Sequence, residues 1–238
     1  PYFEPILWNT IRISLYSFAT FPCSIIFALM INELTNHKFK KTVQMISYMP
    51  HFISTVVVCA MVHMFFNVDG GIVNNAIVAL GGEPVPFMYK AKYFDHLYVW
   101  SGVWQGIGWG TIIYLANLSN VSPDLIEAAR IDGASRWDVV VHINIPTILP
   151  TVVIMLILRV GSIMGVGFEK VFLLQTDLNL SASRVISTYV YERTLGAGGT
   201  TAYWDYSAAI GLFNTFINLI LIILTNTIAR KVSDIALW

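Results

Sequence analysis

Residues able to do chemistry are few in this sequence, and their spacing does not form a catalytic or metal-binding set. His51 and His63 are twelve residues apart, which is not the HExxH spacing of a zinc site, so we expect them to pack between helices. Cys23 and Cys59 form no CxxC pair. Since no Ser/His/Asp set or carboxylate pair stands out either, we expect no catalysis, no bound metal and no cofactor held by this chain.

A group of aromatic and amide side chains is better suited to binding a ligand. Its members fall in one stretch without charged residues and are Trp104, Gln105, Trp109, Tyr114 and Asn117. Aromatic faces stack on sugar rings, and amides bond hydroxyl groups. We therefore expect these residues to line a pathway for a sugar. The alternative is that the tryptophans face lipid and the amides bond neighbouring helices.

Four further polar residues stand in apolar surroundings. Arg159 carries a charge about midway along such a stretch, where a charge is costly and normally faces protein or water. It could contact an acidic sugar or a gating partner, or it could make an interhelical hydrogen bond or snorkel to the interface. Asn214 and Asn218, four residues apart, could bridge to a partner helix or contact substrate. Arg12, near the end of its stretch, is expected at the membrane interface.

Small residues repeat at helical spacing in the same stretches. Gly102, Gly106 and Gly110 share one face of a helix at i, i+4 and i+8, and a second set comprises Gly161, Gly165 and Gly167. Because small residues let membrane helices approach closely, we expect helix contacts on these faces.

The elements that position these side chains are membrane helices. The 238 residues are 56% hydrophobic and only 12% charged, against about 25% charged in a soluble domain. Five gaps without Asp, Glu, Lys or Arg run for 20, 27, 28, 20 and 24 residues. Each reaches the roughly 20 residues that a helix needs to cross the hydrocarbon core. A soluble fold is therefore excluded, and zero net charge gives no field for binding nucleic acid.

We predict an all-α polytopic membrane protein, one transmembrane domain over residues 1–238 in contact with lipid. Its five spans lie at about residues 11–32, 44–66, 97–119, 147–168 and 206–228. The connections after the first and third spans and the C-terminal tail carry seven basic residues, against five on the opposite side. By the positive-inside rule the C-terminus is cytoplasmic, and Pro1 lies outside. We expect no signal peptide and one more helix upstream of Pro1.

The outer loops cover residues 67–96 and 169–205. The second begins with Glu169 and Lys170, which we expect to make a loop contact, and its residues 183–195 are predicted to form a short surface helix.

The sequence of residues 122–146 predicts a helix, a turn and a second helix on the cytoplasmic side. Ser122 is suited to cap the first helix, with Pro123 in its first turn. Gly133 can take the left-handed conformation that ends this helix. Ser135 and Asp138 have the spacing of a capping box for the second helix. Pro146 and Pro150 are expected to separate that helix from the fourth span. We call residues 122–138 the elbow.

The elbow resembles the EAA loop of permease subunits of type I ABC importers. The residues that carry the resemblance are Glu127, Ala128, Ala129, Asp132, Gly133 and Ala134, followed by Ile143-Asn144-Ile145-Pro146. Further segments resemble the branch that imports oligosaccharides and polysaccharide fragments, among them Tyr48-Met49-Pro50-His51 and Gly167-Phe168-Glu169-Lys170.

The resemblance implies a permease in a prokaryotic inner or plasma membrane, lacking the family's first helix. It implies that the elbow docks into an ATPase subunit, and that the partners are a second permease, two ABC ATPases and an extracytoplasmic solute-binding protein on the outer loops. ATP and Mg²⁺ would bind to the ATPases. The residues agree on this point, because the sequence contains no GxxxxGK[ST] phosphate-binding loop.

Other functions remain open at this point. A permease for another small solute would share the fold, and a secondary transporter or channel would work without an ATPase. An intramembrane enzyme would need a metal or nucleophile cluster that the sequence does not offer.

Overall fold

The structure is a computed structural model that describes residues 3–194 and 204–233. Within these ranges the secondary structure is entirely helical. The elements are α1 (Phe3–Ala19), α2 (Phe21–Asn32), α3 (His37–Tyr48), a 3-10 turn (Met49–Phe52), α4 (Thr55–Phe65), α5 (Ile72–Ala79), α6 (Ala91–Leu118), α7 (Pro123–Ile131), α8 (Arg136–Val139), a π-helical turn (Val140–Asn144), α9 (Ile145–Gly161), α10 (Phe168–Leu174), α11 (Leu180–Ser183), α12 (Ile186–Thr194) and α13 (Trp204–Ser233).

Three helical stretches of the described chain are long and apolar enough to cross a membrane. They are Glu4–Asn32, Arg136–Gly161 and Ser207–Lys231, which overlap the first, fourth and fifth predicted spans. The second predicted span is a pair of helices, His37–Phe52 and Thr55–Phe65, bent by 100° at the break between them. The third falls on α6, whose 28 residues suffice in length but include many Trp, Tyr and Gly. Five membrane-crossing helices therefore stay a prediction.

The chain divides into two compact units, and each combines three separate segments. The first unit comprises residues 1–19, 53–102 and 162–219, and the second comprises residues 20–52, 103–161 and 220–238. The core of the first unit contains fully buried side chains such as Ile13, Phe94, Val171 and Leu174. In the second unit Ile31, Ile148 and Ile157 are fully buried. Each unit depends on residues distant in sequence, and the prediction of one domain stays a prediction.

Polar contacts fix α1 within the first unit. Arg12 pairs with Asp95, with Nε 2.6 Å from Oδ2 and Nη2 donating to Oδ1 over 3.0 Å. The same guanidinium donates to the carbonyl of Ala182 over 3.2 Å. The helical stretch that contains Arg12 begins at Glu4, and the predicted place of Arg12 at the membrane interface stays a prediction.

The surface helix predicted after the fourth span also differs from the structure in its bounds and its burial. Residues 183–195 were expected to form one surface helix, but α11 ends at Ser183 and α12 begins at Ile186, with Val185, Ile186 and Thr188 buried. Their burial is decided by packing against α1, which the local sequence does not reveal. Leu195 lies outside the described residues.

The prolines after the elbow do not separate it from the fourth span. α8, the π-helical turn and α9 follow one another without a break from Arg136 to Gly161. Pro146 has no N–H to donate and its ring would press on the carbonyl four residues earlier, so the helix widens to a π turn before it. The stretch ends at Gly161, and residues 162–167 are non-helical, so the span predicted to reach residue 168 is shorter.

Candidate functional site

The elbow has the backbone geometry that its sequence predicts. Gly133 closes α7 in the left-handed region, with φ +89°. The Ser135 amide donates to Asp138 Oδ2 over 2.9 Å, and the Asp138 amide donates to Ser135 Oγ over 3.2 Å, which confirms the capping box. Ser122 has the extended conformation of an N-cap, but its side chain makes no capping hydrogen bond. The elbow is therefore a fixed turn between two short helices.

The outer face of the elbow is unusually apolar for an exposed surface. Leu125, Ile131 and Trp137 are 52%, 86% and 72% exposed. Glu127 and Ala128 of the EAA segment are exposed beside them, together with Asp132 and Gly133, while Ala129 and Ala134 are half-buried. Large apolar side chains around small ones form a surface suited to docking another protein.

The elbow leads directly into a long apolar helix and is held near the end of α2. Asn144, in the π-helical turn, is buried, and its Nδ2 donates to Glu33 Oε1 over 3.3 Å. Asn144 Oδ1 is buried with no hydrogen-bond partner in the described part of the chain. The elbow, the π-helical turn and α9 are therefore joined directly, and the π-helical turn is bonded to Glu33 at the end of α2.

An aromatic group lies where the second span is broken. The rings of His51 and Trp109 stack with centroids 4.4 Å apart and planes 6° from parallel. Phe52 meets Trp109 edge to face at 5.9 Å. All three side chains are exposed, so the group presents an open aromatic surface. We call these three residues the aromatic platform.

The sequence prediction included Trp109 but missed the other two members of the platform. His51 was expected to pack between helices, yet its ring covers Trp109 and stays exposed. The available signal was Pro50, which favours a break in the helix there. The other histidine, His63, fits its predicted packing role, since Nε2 lies 3.0 Å from the carbonyl oxygen of Leu173.

The remaining predicted pathway residues of α6 are not brought together. Trp104 is exposed and Gln105 is half-buried. Tyr114 is only 3% exposed. Asn117 Nδ2 donates to the carbonyl of Ile113 in its own helix over 2.9 Å. Tyr114 is therefore packed inside the described chain, and the predicted contact of these residues with a sugar stays a prediction.

The glycines of α6 allow close contacts on part of the predicted face, at Gly110, and also at Gly108, which lies outside it. A Cβ at Gly108 would overlap the backbone carbonyl of Ser47, and one at Gly110 would lie 2.6 Å from Ser24 Oγ. A Cβ at Gly106 would meet nothing within 4 Å. The expectation that Gly106 mediates a helix contact is wrong for the described chain.

The polar residues outside α6 lie in different places. Arg159 is exposed in the last turn of α9, not midway along a span. Asn218 Oδ1 accepts a hydrogen bond from the Met164 amide over 3.3 Å, which supports its predicted bridging role. Asn214 Oδ1 is buried and has no hydrogen-bond partner among the described residues.

Lys170, in the short helix α10, has a more specific environment than the predicted loop contact. Its Nζ lies 5.1 Å from the centre of the Tyr98 ring. Burial lowers the pKa of the Lys170 ammonium to about 8. The Tyr98 hydroxyl in turn accepts a hydrogen bond from the Gly167 amide over 3.2 Å.

Comparison with known proteins gives one family match over most of the chain. Residues 20–234 match the family described as the binding-protein-dependent transport system inner membrane component. Two relatives from Bacillus subtilis (strain 168) are each 39% identical. They are protein LplB, over 97% of this chain and 72% of the relative, and the polygalacturonan/rhamnogalacturonan transport system permease protein YteP, over 98% and 72%.

Two solved structures are similar at 36% sequence identity. One is a bacterial ABC transporter involved in the import of the acidic polysaccharide alginate, with a TM-score of 0.92 over 97% of this chain and 80% of the other. The second is a bacterial alginate ABC transporter in complex with an alginate pentasaccharide-bound periplasmic protein, with a TM-score of 0.93 over 99% and 81%.

Proposed function

Because the chain belongs to the family of binding-protein-dependent transport system inner membrane components, as a permease of sugar-importing ABC transporters, we propose that it imports acidic oligosaccharides. Support for the substrate class comes from the permease for polygalacturonan/rhamnogalacturonan and from the importer of acidic alginate. Both match this chain over nearly its whole length, at 39% and 36% identity.

The working transporter in this proposal contains several subunits. A second permease, homologous or identical, encloses the pathway with this chain, and two ATPase subunits bind ATP and Mg²⁺. A solute-binding protein delivers the sugar to the outer loops, part of which lies outside the described residues. The assembly spans the cell membrane of a prokaryote through five helices of this chain, with the elbow and the C-terminus in the cytoplasm.

The observation that carries the proposal is the exposed elbow at the start of the helix Arg136–Gly161. Leu125, Ile131 and Trp137 provide an apolar docking surface for an ATPase, around the small residues of the EAA segment. Closure of the two ATPases on ATP would move the elbow. The helix and the Asn144–Glu33 contact would pass this movement to the membrane part of the subunit.

The sugar pathway in this proposal includes the aromatic platform. Irregular backbone at membrane depth is tolerated where it is buried in protein or lines a water-filled cavity, and the platform lies at such a break. His51, Phe52 and Trp109 would stack against the apolar faces of sugar rings. Trp104 and Gln105 would add contacts further along α6.

The test of the proposal is Gly133→Val in the complete transporter. A Cβ at Gly133 meets nothing within 4 Å, so the change acts through the backbone at φ +89°. We expect loss of ATP-driven uptake of oligogalacturonate into vesicles, with the subunit still inserted. Gly81→Val has the same kind of backbone strain, at φ +86° with equally open surroundings, and is the control for membrane insertion and stability; uptake is not scored for it, because Gly81 lies in an outer loop.

Two results would contradict the proposal. Normal uptake by Gly133→Val would remove the coupling role of the elbow. Uptake that survives ATP depletion while an ion gradient is maintained would indicate a secondary transporter instead.

A further inference from the structure

Lys170 is a half-buried cation that has no carboxylate partner among the described residues. Arg12–Asp95 and Arg184–Glu192 form ion pairs in the described part of the chain, and neither involves Lys170. Other unpaired lysines, such as Lys92, are exposed and therefore hydrated. Removing an ammonium from water is costly unless an anion or dipoles replace the water. Neither of these ion pairs therefore balances the positive charge of Lys170.

The surroundings of Lys170 hold its ammonium in one place. The Tyr98 ring lies under Nζ at 5.1 Å, and the hydroxyl of that ring is fixed by the Gly167 amide. On another side, a Cβ at Gly102 would lie 3.0 Å from Nζ, so only glycine leaves the ammonium its full space. A ring face gives a cation partial compensation, but it does not neutralise the charge.

The approach to this site is through non-helical backbone. Residues 162–167 connect α9 to α10, and Gly165 and Gly167 are exposed there. In a membrane subunit, exposed backbone of this kind lines water or contacts protein, because lipid cannot bond its polar groups. Lys170 follows this segment by three residues and is itself not fully buried. The site assigned to Lys170 requires that this segment line water, so that a water-borne anion reaches the ammonium.

The positive charge of Lys170 favours an anionic ligand over a neutral one. Cys59 influences Lys170 and Tyr98 contacts it, and both are neutral in their ordinary state at neutral pH, where the ammonium stays mostly protonated. The carboxylate of the adjacent Glu169 acts on Cys59 as well, but it is exposed and forms neither of the two ion pairs given above. A carboxylate would form a charge-assisted hydrogen bond with a poorly hydrated ammonium, which is stronger than the same bond in water. A neutral sugar hydroxyl would gain much less.

We propose that Lys170 binds the carboxylate of a uronic acid unit as an acidic oligosaccharide passes through the transporter, with Tyr98 as the residue that positions its ammonium. This inference rests on the proposed function, because it assigns to one residue the selection of charge in the imported sugar. Arg159, for which the sequence left a contact to an acidic sugar open, has no part in it.

The test compares one sugar chain in two charge states. Lys170→Gln, Lys170→Arg and wild type are assembled with the partner permease, ATPases and binding protein in proteoliposomes. Uptake is measured for tetragalacturonate and for its methyl ester, each normalised to the amount bound by the solute-binding protein. We expect Lys170→Gln to reduce tetragalacturonate uptake about tenfold, the loss of one charge-assisted contact, and to change methyl ester uptake less than about twofold. Lys170→Arg retains the charge and most of the acidic uptake.

A control variant separates this effect from a general one. Lys38→Gln removes an exposed lysine of α3, outside both outer loops and the elbow, and should leave both uptakes unchanged. Equal losses for both sugars in Lys170→Gln would overturn the inference and indicate a packing role. Unchanged tetragalacturonate uptake would also overturn it. Wild type that imports only the ester would instead refute the acidic substrate and, with it, the inference.

Discussion

Gly108→Ala should destabilise the second unit, although alanine is the better helix former. The backbone of Ser47 packs directly on Gly108, so the added methyl group would overlap the Ser47 carbonyl and lie 3.0 Å from its Cβ. Ordinary carbon contacts are about 3.5–4.0 Å. A backbone carbonyl cannot rotate away as a side chain can, so α6 and the end of α3 would have to separate.

The size of the effect follows from two opposing contributions. Overpacking at a rigid contact costs about 1–3 kcal/mol, and we take the upper end because the neighbour is backbone. Replacing glycine by alanine inside a helix gains about 1 kcal/mol. The net loss of about 2 kcal/mol in the free energy of unfolding corresponds to roughly 4–8 °C in Tm for a chain of this size.

The assay is thermal unfolding of the purified subunit, followed by the loss of monodisperse protein on heating in one detergent. Gly106→Ala is the matched control, because it lies in the same helix and its Cβ would meet nothing within 4 Å. We expect it to unfold at the wild-type temperature or slightly above. If Gly108→Ala were as stable as Gly106→Ala, the close approach of α6 to Ser47 would be refuted.

Two further substitutions test individual polar contacts. Asp95→Asn removes the charged partner of Arg12. The Arg12 side chain is 36% exposed and that of Asp95 17%, so we expect a loss of about 1–2 kcal/mol in the free energy of unfolding, measured as a lower Tm in the same assay. An unchanged Tm would show that the pair contributes nothing to stability. Arg159→Gln removes an exposed cation from the last turn of α9, where a positive charge interacts favourably with the helix dipole. We expect the ratio of tetragalacturonate to methyl ester uptake to stay within about twofold of wild type. A selective loss of tetragalacturonate uptake would assign the carboxylate site to Arg159 instead.

The elbow is the part of the candidate site that could be predicted most fully. Gly133 and the pair Ser135 and Asp138 act within a few residues of one another, so their spacing is sufficient to specify the turn. The effect of the prolines that follow the elbow could not be predicted from the local sequence alone. A proline can end a helix or widen it, and the packing of the π-helical turn, with Asn144 buried, favours the second.

The pathway residues could be predicted only in part. Trp109 was identified by its chemistry, but the residues stacked around it come from the broken second span, more than fifty positions away. Tyr114 looked equally suitable in sequence and is buried. Periodicity places residues on the face of a helix, but it does not reveal which face another helix covers.

Composition and short-range pattern alone determined that this chain lies in a membrane, carries an EAA elbow and has no phosphate-binding loop, because these properties depend on hydrophobicity over about 20 residues or on neighbours within a turn. Only the tertiary structure decided that Gly108 and not Gly106 permits a close helix contact and that Arg12 pairs with Asp95. It also decided that Lys170 is half-buried with no carboxylate partner among the described residues. The physical reason is that burial and charge pairing depend on which distant segments pack together, and the sequence around each residue does not contain that information.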